Sequence, residues 1–314
     1  MNTKSSVPTD LVLDSRSVPP ARMASTRPLW WSIRRELWEN RSLTIAPLAV
    51  SGFVLLVMLV TAFGVPRKMG AFPPLDPAKQ HALAAGPFSM AASAITITTI
   101  LVGIFYSLDA LYGERRDRSI LFWKSLPVSD RTTVLSKAAI PLVVLPLIGV
   151  ILSVATQLII LIWTTGIRVT KGMSPATLWS ELPLLEMPLV LLYGVGVFTL
   201  WHAPIYGWLL LVSGWARRTP VLWAALPFFA ISVAERIAFN TSHFASWMSY
   251  RFAGALPAAF HVTPAKRGHV GIIDRFAQLD PARFLSTPGL WTGLLLAAVF
   301  FAVAVRLRRY REPM

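Results

Sequence analysis

The side chains that could perform covalent or metal chemistry are few, and their spacing matches no catalytic or metal-binding motif. The five histidines never form H-E-x-x-H, the arrangement that holds zinc on one helix face. Cysteine is absent, which excludes disulfides and thiolate ligands. No G-x-x-x-x-G-K-[ST] segment is present to cradle nucleotide phosphates. We therefore expect no catalytic residue, no metal site and no cofactor bound by this chain.

Polar residues within apolar segments are the remaining candidates, because polar groups in lipid are costly and usually face the protein interior. His202, in "TLWHAPIYGW", is one of them, and a hydrogen bond between helices is favoured over a substrate contact. A second set recurs at spacings of three and four, so it forms one stripe on a helix. Such a stripe either lets helices pack closely, which we favour, or lines a polar path. Its members are Ser93, Thr96, Thr99, Gly103 and Ser107.

The elements that must position these residues are membrane-spanning helices. Of the 314 residues, 54% are hydrophobic and 14% are charged, and the mean hydropathy is +0.57. Apolar runs of about 20 residues match the length of a helix that crosses a bilayer, whereas a barrel would need short alternating strands. We predict an all-α integral membrane protein with six transmembrane helices, near residues 45–64, 90–111, 134–163, 187–212, 221–239 and 289–306.

Two regions should depart from simple spans. The third span contains Pro141 and Pro146, which predict a kink or a break near its start. The stretch 240–288 is too long for a turn, and its apolar part is interrupted by Arg251, Gly254 and Pro257. We expect short helices there that cap or dip into the outer leaflet, with an amphipathic segment over 274–285.

The N-terminal part divides into a tail and an amphipathic helix. Residues 1–27 are polar and contain no apolar signal core, so we expect a disordered cytoplasmic tail. Residues 28–44 should form an interfacial helix whose polar face holds Ser32, Arg35, Glu36 and Glu39. This helix is either a membrane anchor alone or also a contact for a partner. Its apolar arc holds Trp30, Trp31, Ile33, Leu37 and Trp38.

The distribution of basic residues predicts the orientation. With the N-terminus inside, 19 basic residues lie in the inner segments and 10 in the outer loops, and half of these ten fall within 240–288. Because Lys and Arg accumulate in short cytoplasmic loops, both termini are predicted to be cytoplasmic. The formal net charge of +15 follows from this accumulation next to anionic lipid, so nucleic acid is not expected as a partner.

The inner loop at residues 114–131, "ERRDRSILFWKSLPVSDR", is strongly charged in its first half and apolar in its second. Four consecutive apolar residues, 120–123, cannot all be buried on one face of a helix. Exposed aromatic residues among arginines are typical of protein interfaces. From the residues alone, contact with lipid headgroups and contact with a partner protein are equally favoured.

Residues 114–137, "ERRDRSILFWKSLPVSDRTTVLSK", resemble the cytoplasmic segment of ABC-2-type transporter permeases. In that family a charged stretch that begins with Glu is followed by Gly-Thr-Leu-Glu, by Pro-x-Ser and by a Lys that enters the next span. Arg118 replaces the usual Gly, and Leu121 replaces the usual Glu. The other positions are matched by Glu114, Ser119, Ile120, Pro127, Ser129 and Lys137. The order of the amphipathic helix, six spans and basic C-terminus extends the resemblance to nearly the whole chain.

The resemblance implies that residues 45–314 form the permease of a bacterial exporter in the cytoplasmic membrane, which is not itself an enzyme. Separate ATP-binding cassette subunits would bind ATP and Mg, and a second permease copy or a paralogue would complete the assembly. The N-terminal helix, including Arg35, would supply a neighbouring contact for the ATPase. The coupling contact itself would come from Glu114, Arg115, Arg116, Arg118, Ser119, Ile120, Phe122, Trp123, Lys124 and Pro127.

Two other classes of protein compete with this expectation. An ATP-independent secondary carrier or channel would need no ATPase subunit, but a carrier should place a carboxylate at mid-membrane between related halves. A membrane enzyme acting on lipids should present an intramembrane cluster of His, Asp or Glu, and the sequence offers none. The apolar spans fit a lipid-like cargo, and they fit a peptide, a drug or a polymer equally well.

Overall fold

The structure is a computed structural model that describes residues 26–64, 77–119, 128–172, 174–261 and 272–310. Within these ranges the chain is helical and forms no strand, apart from one isolated antiparallel bridge between Phe260 and Leu279. Helices dominate because a segment in lipid must satisfy its backbone N–H and C=O groups internally. The predicted tail lies outside the described residues, except for its last two positions.

Six helical segments are long and apolar enough to cross a membrane, and they fall where the sequence predicts the six spans. The chain is therefore a multi-pass membrane protein. A shorter helix, α1 (Thr26–Glu39), precedes the first of them. The spans are α2 (Ser42–Gly64), α3 (Pro77–Asp109), α5 (Asp130–Ala139) continued by α6 (Leu145–Thr170), α8 (Glu186–Trp215), α9 (Pro220–Phe239) and α13 (Pro288–Tyr310), with a short helix α4 (Tyr112–Arg116) after α3.

The third span is irregular near its start. A π-helical turn, Ile140–Val144, separates α5 from α6. Pro141 lies inside this turn and Pro146 follows it, and neither residue can donate a backbone hydrogen bond to the preceding turn. The irregularity therefore lies where the two prolines predict it, as a widened turn that keeps α5 and α6 in one continuous span.

Helices α8 and α9 mark the centre and the edge of the bundle. In the most apolar window of α8, 50% of the residues are buried, compared with 6% in α9. The α8 side chain Trp201 is fully buried in a cluster with residues from the segment between α9 and α13. Helix α9 is thus the span with the largest share of its surface left uncovered by the chain.

Short helices follow α9, in the stretch predicted to hold them. They are α10 (His243–Ala253), α11 (Ala255–Ala259), a 3-10 turn (Phe276–Gln278) and α12 (Pro281–Ser286), while α7 (Ala176–Glu181) precedes α8. Helix α10 packs against the bundle. The indole N–H of Trp201 in α8 donates a hydrogen bond to the Arg251 carbonyl of α10 at 2.9 Å. These helices form the end of the bundle opposite α1 and α4.

The predicted faces of α1 are partly wrong. Ser32 and Glu36, expected on the solvent face, are buried, with 1% of Glu36 exposed. Ile33 and Leu37 pack beside them on the bundle. The apolar arc therefore splits: Trp30, Trp31 and Trp38 are exposed, and Arg34 stacks over the last two. Glu36 is buried because it pairs with a cation, and a contact of this kind cannot be predicted from hydrophobic periodicity.

Candidate functional site

A cluster of charged side chains is buried where α1, α4, α5 and α13 meet. Glu36, Glu114, Lys137 and Arg308 come from these four helices in that order, and each is at most 9% exposed. Arg35 and Asp130 complete the group at its edge, with 22% and 30% of their side chains exposed. We call these six residues the charge cluster, and the part of the bundle that contains them the charged end.

Lys137 is the first bridge of the charge cluster. Its ammonium donates a hydrogen bond to Glu36 Oε1 at 2.9 Å and lies 3.1 Å from Glu114 Oε1. The second oxygen of Glu36 accepts a hydrogen bond from the Tyr106 hydroxyl of α3 at 2.8 Å. Arg35 adds a hydrogen bond of 2.8 Å to Glu36 Oε1. Lys137 therefore joins carboxylates from α1 and α4, two elements far apart in the chain.

Arg308 is the second bridge. Its Nη1 atom pairs with Glu114 Oε2, so both oxygens of Glu114 face cations. The Arg308 Nε atom lies 3.2 Å from Asp130 Oδ1 at the start of α5. Arg308 of the last span therefore contacts both α4, where the segment 114–137 begins, and α5, with which the third span begins.

The six residues of the charge cluster are three carboxylates and three cations, and the exposed carboxylate of Glu39 lies 3.5 Å from Arg35 outside it. This balance matters because removing an ion from water costs several kcal/mol unless a partner and hydrogen bonds compensate. Burial alone would raise the pKa of the Glu36 carboxyl, but Lys137 and Tyr106 together lower that pKa below its ordinary value. Glu36 is therefore ionised in the folded protein, and removing one member of the cluster leaves a buried unpaired charge.

Helix α4 is also fixed to the end of α8. The buried guanidinium of Arg115 donates hydrogen bonds to the Ser213 carbonyl at 2.9 Å and to the Ala216 carbonyl at 2.5 Å. The Ser213 hydroxyl also accepts hydrogen bonds from this side, from the backbone N–H groups of Leu111 and Tyr112, each at 2.9 Å. Because both ends of α4 are anchored, this five-residue helix can move only together with its neighbours.

The predicted coupling residues divide into an internal and an external set. Glu114 and Arg115 are buried, so they position α4 and are not part of its outer surface. Arg116 and Arg118 are exposed, Ser119 is half-buried, and Arg118 has a left-handed backbone with φ of 57°. The remaining positions, Ile120, Phe122, Trp123, Lys124 and Pro127, lie outside the described residues.

The small-residue stripe of α3 serves packing over most of its length. Thr99, Gly103 and Ser107 are buried, Thr96 is half-buried and Ser93 is exposed. A Cβ at Gly103 would lie 3.3 Å from Tyr206 Cε1, and one at Gly149 would lie 3.2 Å from Thr99 Cγ2. Close approach of α3, α6 and α8 therefore depends on these small side chains.

His202 makes the contacts predicted for a structural histidine. Its Nδ1 atom lies 2.8 Å from the Phe198 carbonyl in its own helix, and Nε2 lies 3.3 Å from the Phe252 carbonyl of α10. The ring thus links α8 to α10. His202 also borders a cavity of about 30 Å³ with Thr96, Thr99 and Tyr206, which is room for water and too small for a larger solute.

Across the described ranges, no group of three or more His, Asp or Glu side chains could hold a metal ion. His81 pairs with Asp274 at 2.9 Å, and His261 lies 3.4 Å from Asp280. What the charged end can do is transmit displacement, because charged contacts fix α4 to three other helices.

The sequence alone gave weak signals for the charge cluster. Lys137 matches the family pattern, but in the sequence Arg308 is only one arginine of a basic C-terminus, and Glu36 is only one residue of the polar face of α1. The sequence offers one local indication of the cluster. A Lys one turn inside an apolar span is costly to bury, so it is expected to pair with an acidic side chain. Choosing Glu36 and Glu114 as those partners required the three-dimensional arrangement.

The fold and the site define a helical multi-pass membrane protein with a neutral buried ion cluster at one end. Comparison with family models, with curated proteins and with solved structures gave no match to the chain. Its function is therefore inferred from the residues and from their geometry.

Proposed function

We propose that this chain is the membrane permease subunit of an ATP-binding cassette exporter in the bacterial cytoplasmic membrane, resembling the ABC-2 type. It binds no nucleotide itself. A separate ATPase subunit, which holds ATP and Mg, docks at the charged end, and this end faces the cytoplasm together with both termini. The proposal rests on the motif resemblance of residues 114–137 and on the charge cluster around Glu114.

The observation that carries the proposal is the attachment of α4. An exporter needs a rigid element at its surface, because ATP-driven movement of a soluble subunit must reach the membrane helices without being absorbed by a flexible loop. Glu114 and Arg115 bind α5, α8 and α13 through ion pairs and short hydrogen bonds. A push on α4 would therefore move three spans at once.

The contact surface for the ATPase consists of Arg116, Arg118 and the apolar residues that follow them. Arg116 and Arg118 are exposed at the end of α4, next to the segment that contains Phe122 and Trp123. Arginine and aromatic side chains contribute most strongly to protein interfaces. The exposed tryptophans of α1 lie at the same end and would anchor that helix in the membrane surface beside the contact.

A second permease copy, or a paralogue, would cover α9. An exposed stripe runs along this helix at spacings of three and four: Leu222, Leu226, Phe229, Val233 and Ile237. Because α9 is mostly uncovered within one chain, a partner helix could pack along this stripe without displacing internal contacts.

The test is co-purification with an ATPase subunit encoded next to this chain. Changing Phe122 and Trp123 to Ala, or Arg116 and Arg118 to Glu, should abolish the association while membrane insertion persists. The matched control is Arg217 and Arg218 to Glu, which reverses two exposed charges at the same end, beyond the end of α8. The control should retain the ATPase.

If both changes at the α4 surface leave the complex intact, the coupling surface is wrong. If no neighbouring gene encodes a P-loop protein and the purified chain alone catalyses solute flux in liposomes, the proposal fails in favour of a secondary carrier or channel. The second outcome is independent of the first, because the flux is measured without any ATPase.

A further inference from the structure

A groove lies behind α9, between this helix and the rest of the bundle. Its cavity volume is about 430 Å³, within the range of small-molecule sites. Apolar side chains from five helices line it, among them Ile104, Trp208, Ala225, Phe228, Trp247 and Phe300. Such a groove suits a hydrocarbon chain and offers little to a polar solute.

The groove can be reached from outside the bundle. On α9 its lining residues recur at the spacing of one helix face, and Val221 and Ala225 on that face are exposed. Trp247 and Phe252 of α10, at the other end of the groove, are exposed as well. A lipid chain could therefore enter sideways, between α9 and α10, without opening the core.

One charged residue, Arg251, lies among the residues that line the groove. Its side chain is only 6% exposed. Nη1 donates to the Trp201 carbonyl at 3.2 Å, Nη2 donates to the Gly289 carbonyl at 2.9 Å, and the guanidinium lies 5.1 Å from the centre of the Trp201 ring. These bonds use two of its five N–H groups. In the part of the chain that the structure describes, no carboxylate pairs with Arg251, so its charge is not neutralised.

The chain provides a fitted place for this guanidinium at one end of the groove. A Cβ at Gly293 would lie 2.6 Å from Nη1, so α13 carries a glycine where the guanidinium packs. Leu296 and Phe300, further along α13, then form the groove wall. The guanidinium of Arg251, which comes from α10, therefore lies beside Gly293 of α13, and the apolar wall continues from there along α13.

We propose that this groove binds an anionic phospholipid of the membrane, with its phosphate at Arg251 and one acyl chain between α9 and α13. Phosphate supplies the missing negative charge and matches the donor geometry of a guanidinium. A zwitterionic headgroup such as phosphocholine carries the same phosphate, but its ammonium offsets that charge, so an anionic headgroup compensates the buried guanidinium more fully. The site belongs to this chain alone, and it does not depend on an ATPase partner.

A second copy of the chain fits the groove less well. The one acidic residue of α9 is Glu235, and its carboxylate already accepts hydrogen bonds from the Thr241 hydroxyl and from the N–H groups of His243 and Phe244. An α9 helix from another copy would therefore bring no free carboxylate to Arg251. The uncompensated cation therefore favours a lipid phosphate over α9 of a second copy.

The test uses the purified chain without any ATPase, in a neutral detergent, with native mass spectrometry as the readout. Phosphatidylglycerol and phosphatidylcholine of identical acyl chains are added in competition. We expect one phosphatidylglycerol retained per chain, with a preference of about tenfold or more over phosphatidylcholine, as a charged hydrogen bond predicts. Arg251→Gln should remove this preference, and Arg251→Lys should restore part of it.

Because Arg251 also holds two carbonyls, a second variant leaves it intact. Ala225→Trp fills the groove and should reduce retention of phosphatidylglycerol by about tenfold or more. Ala230→Trp is the matched control, since Ala230 is an exposed alanine of the same helix that does not line the groove, and it should retain the lipid.

Three outcomes would overturn the proposal. Equal retention of the two phospholipids in the unchanged protein would refute the preference for an anionic headgroup. Normal lipid retention in Ala225→Trp, with loss of a dimer in the same spectra, would assign the groove to a second copy. Displacement of phosphatidylglycerol by an equimolar amount of oleate would assign it to a fatty acid.

Discussion

Replacing Lys137 by Met tests whether the charge cluster is held by its charges. Methionine keeps the length of the side chain but removes the ammonium. The oxygens of Glu36 and Glu114, at 2.9 and 3.1 Å from the ammonium, would then face each other across at most about 6 Å. At an effective dielectric constant of about 20, two unit charges at that separation repel by about 3 kcal/mol.

In the unchanged protein the ammonium offsets this repulsion. Because Lys137→Met removes that compensation, we expect the free energy of unfolding to fall by about 3 kcal/mol, near the lower end of the range for breaking a buried ion pair. Arg35 and Arg308 remain beside the two carboxylates and keep the loss from being larger. The measurement is SDS titration in mixed micelles, followed by circular dichroism. Lys171→Met is the control, because Lys171 is exposed at the opposite end, and it should change stability by no more than about 0.5 kcal/mol.

A second substitution separates charge from packing. Adding Glu36→Gln to Lys137→Met returns the cluster to two carboxylates and two cations, while the new amide can still accept the Tyr106 hydrogen bond. The double variant should therefore be more stable than Lys137→Met, with a coupling energy of about 1.5 kcal/mol or more. If the two losses instead add, or if Lys137→Met costs less than about 1 kcal/mol, the electrostatic account of the cluster is refuted.

Three further predictions concern acid stability, topology and packing. Because the pKa of Glu36 is lowered in the folded protein, ionised Glu36 stabilises the fold fully above the ordinary pKa of 4.5, and this stabilisation is lost as the pH falls through the folded pKa. Thermal unfolding midpoints measured from pH 7 to pH 3 should therefore drop more steeply in the unchanged protein than in Glu36→Gln. A reporter fused after Ala258 should be active outside the cell and one fused after Ser129 inside, and the reverse result would overturn the orientation. Gly103→Val should cost about 1–3 kcal/mol of stability beyond Gly196→Val, because a Cβ at Gly103 meets side chains at 3.3 Å and one at Gly196 meets nothing within 4 Å; equal losses would refute the packing role.

The spans could be predicted from sequence because their cause is local. An apolar run long enough to cross the bilayer must close its own backbone hydrogen bonds, whatever surrounds it. The position of the irregular turn follows equally from Pro141, since a missing N–H has a fixed position in the chain, but its π-helical form does not, because Pro204 and Pro227 lie inside α-helices. The contacts of His202 with backbone carbonyls also agree with the sequence, because a polar side chain within an apolar span is expected to form hydrogen bonds inside the protein.

The charge cluster could not be predicted in the same way, because its cause lies in residues far apart in the chain. Glu36 stands on a helix whose periodicity places it toward solvent, and its burial is explained by Lys137, 101 positions away, and by Tyr106, 70 positions away. Arg308 is one of several arginines in a basic C-terminal segment, and nothing local selects it as the partner of Glu114. Pairing of this kind requires knowing which helix ends meet.

Because the charge cluster joins residues far apart in the chain, it also limits how the helices at the charged end can move relative to one another. Apolar contacts between helices can slide by small steps with little change in energy, whereas each ion pair in the charge cluster has one register at which its buried charges are compensated. Movement of α4 relative to α5 or α13 would therefore leave Glu114 unpaired, so the low-energy movement is one that carries these helices together. A force applied at Arg116 would act on the bundle as a rigid unit. Under the proposed function, the internal cluster would determine which spans respond, and the exposed residues beyond it would determine which partner applies the force.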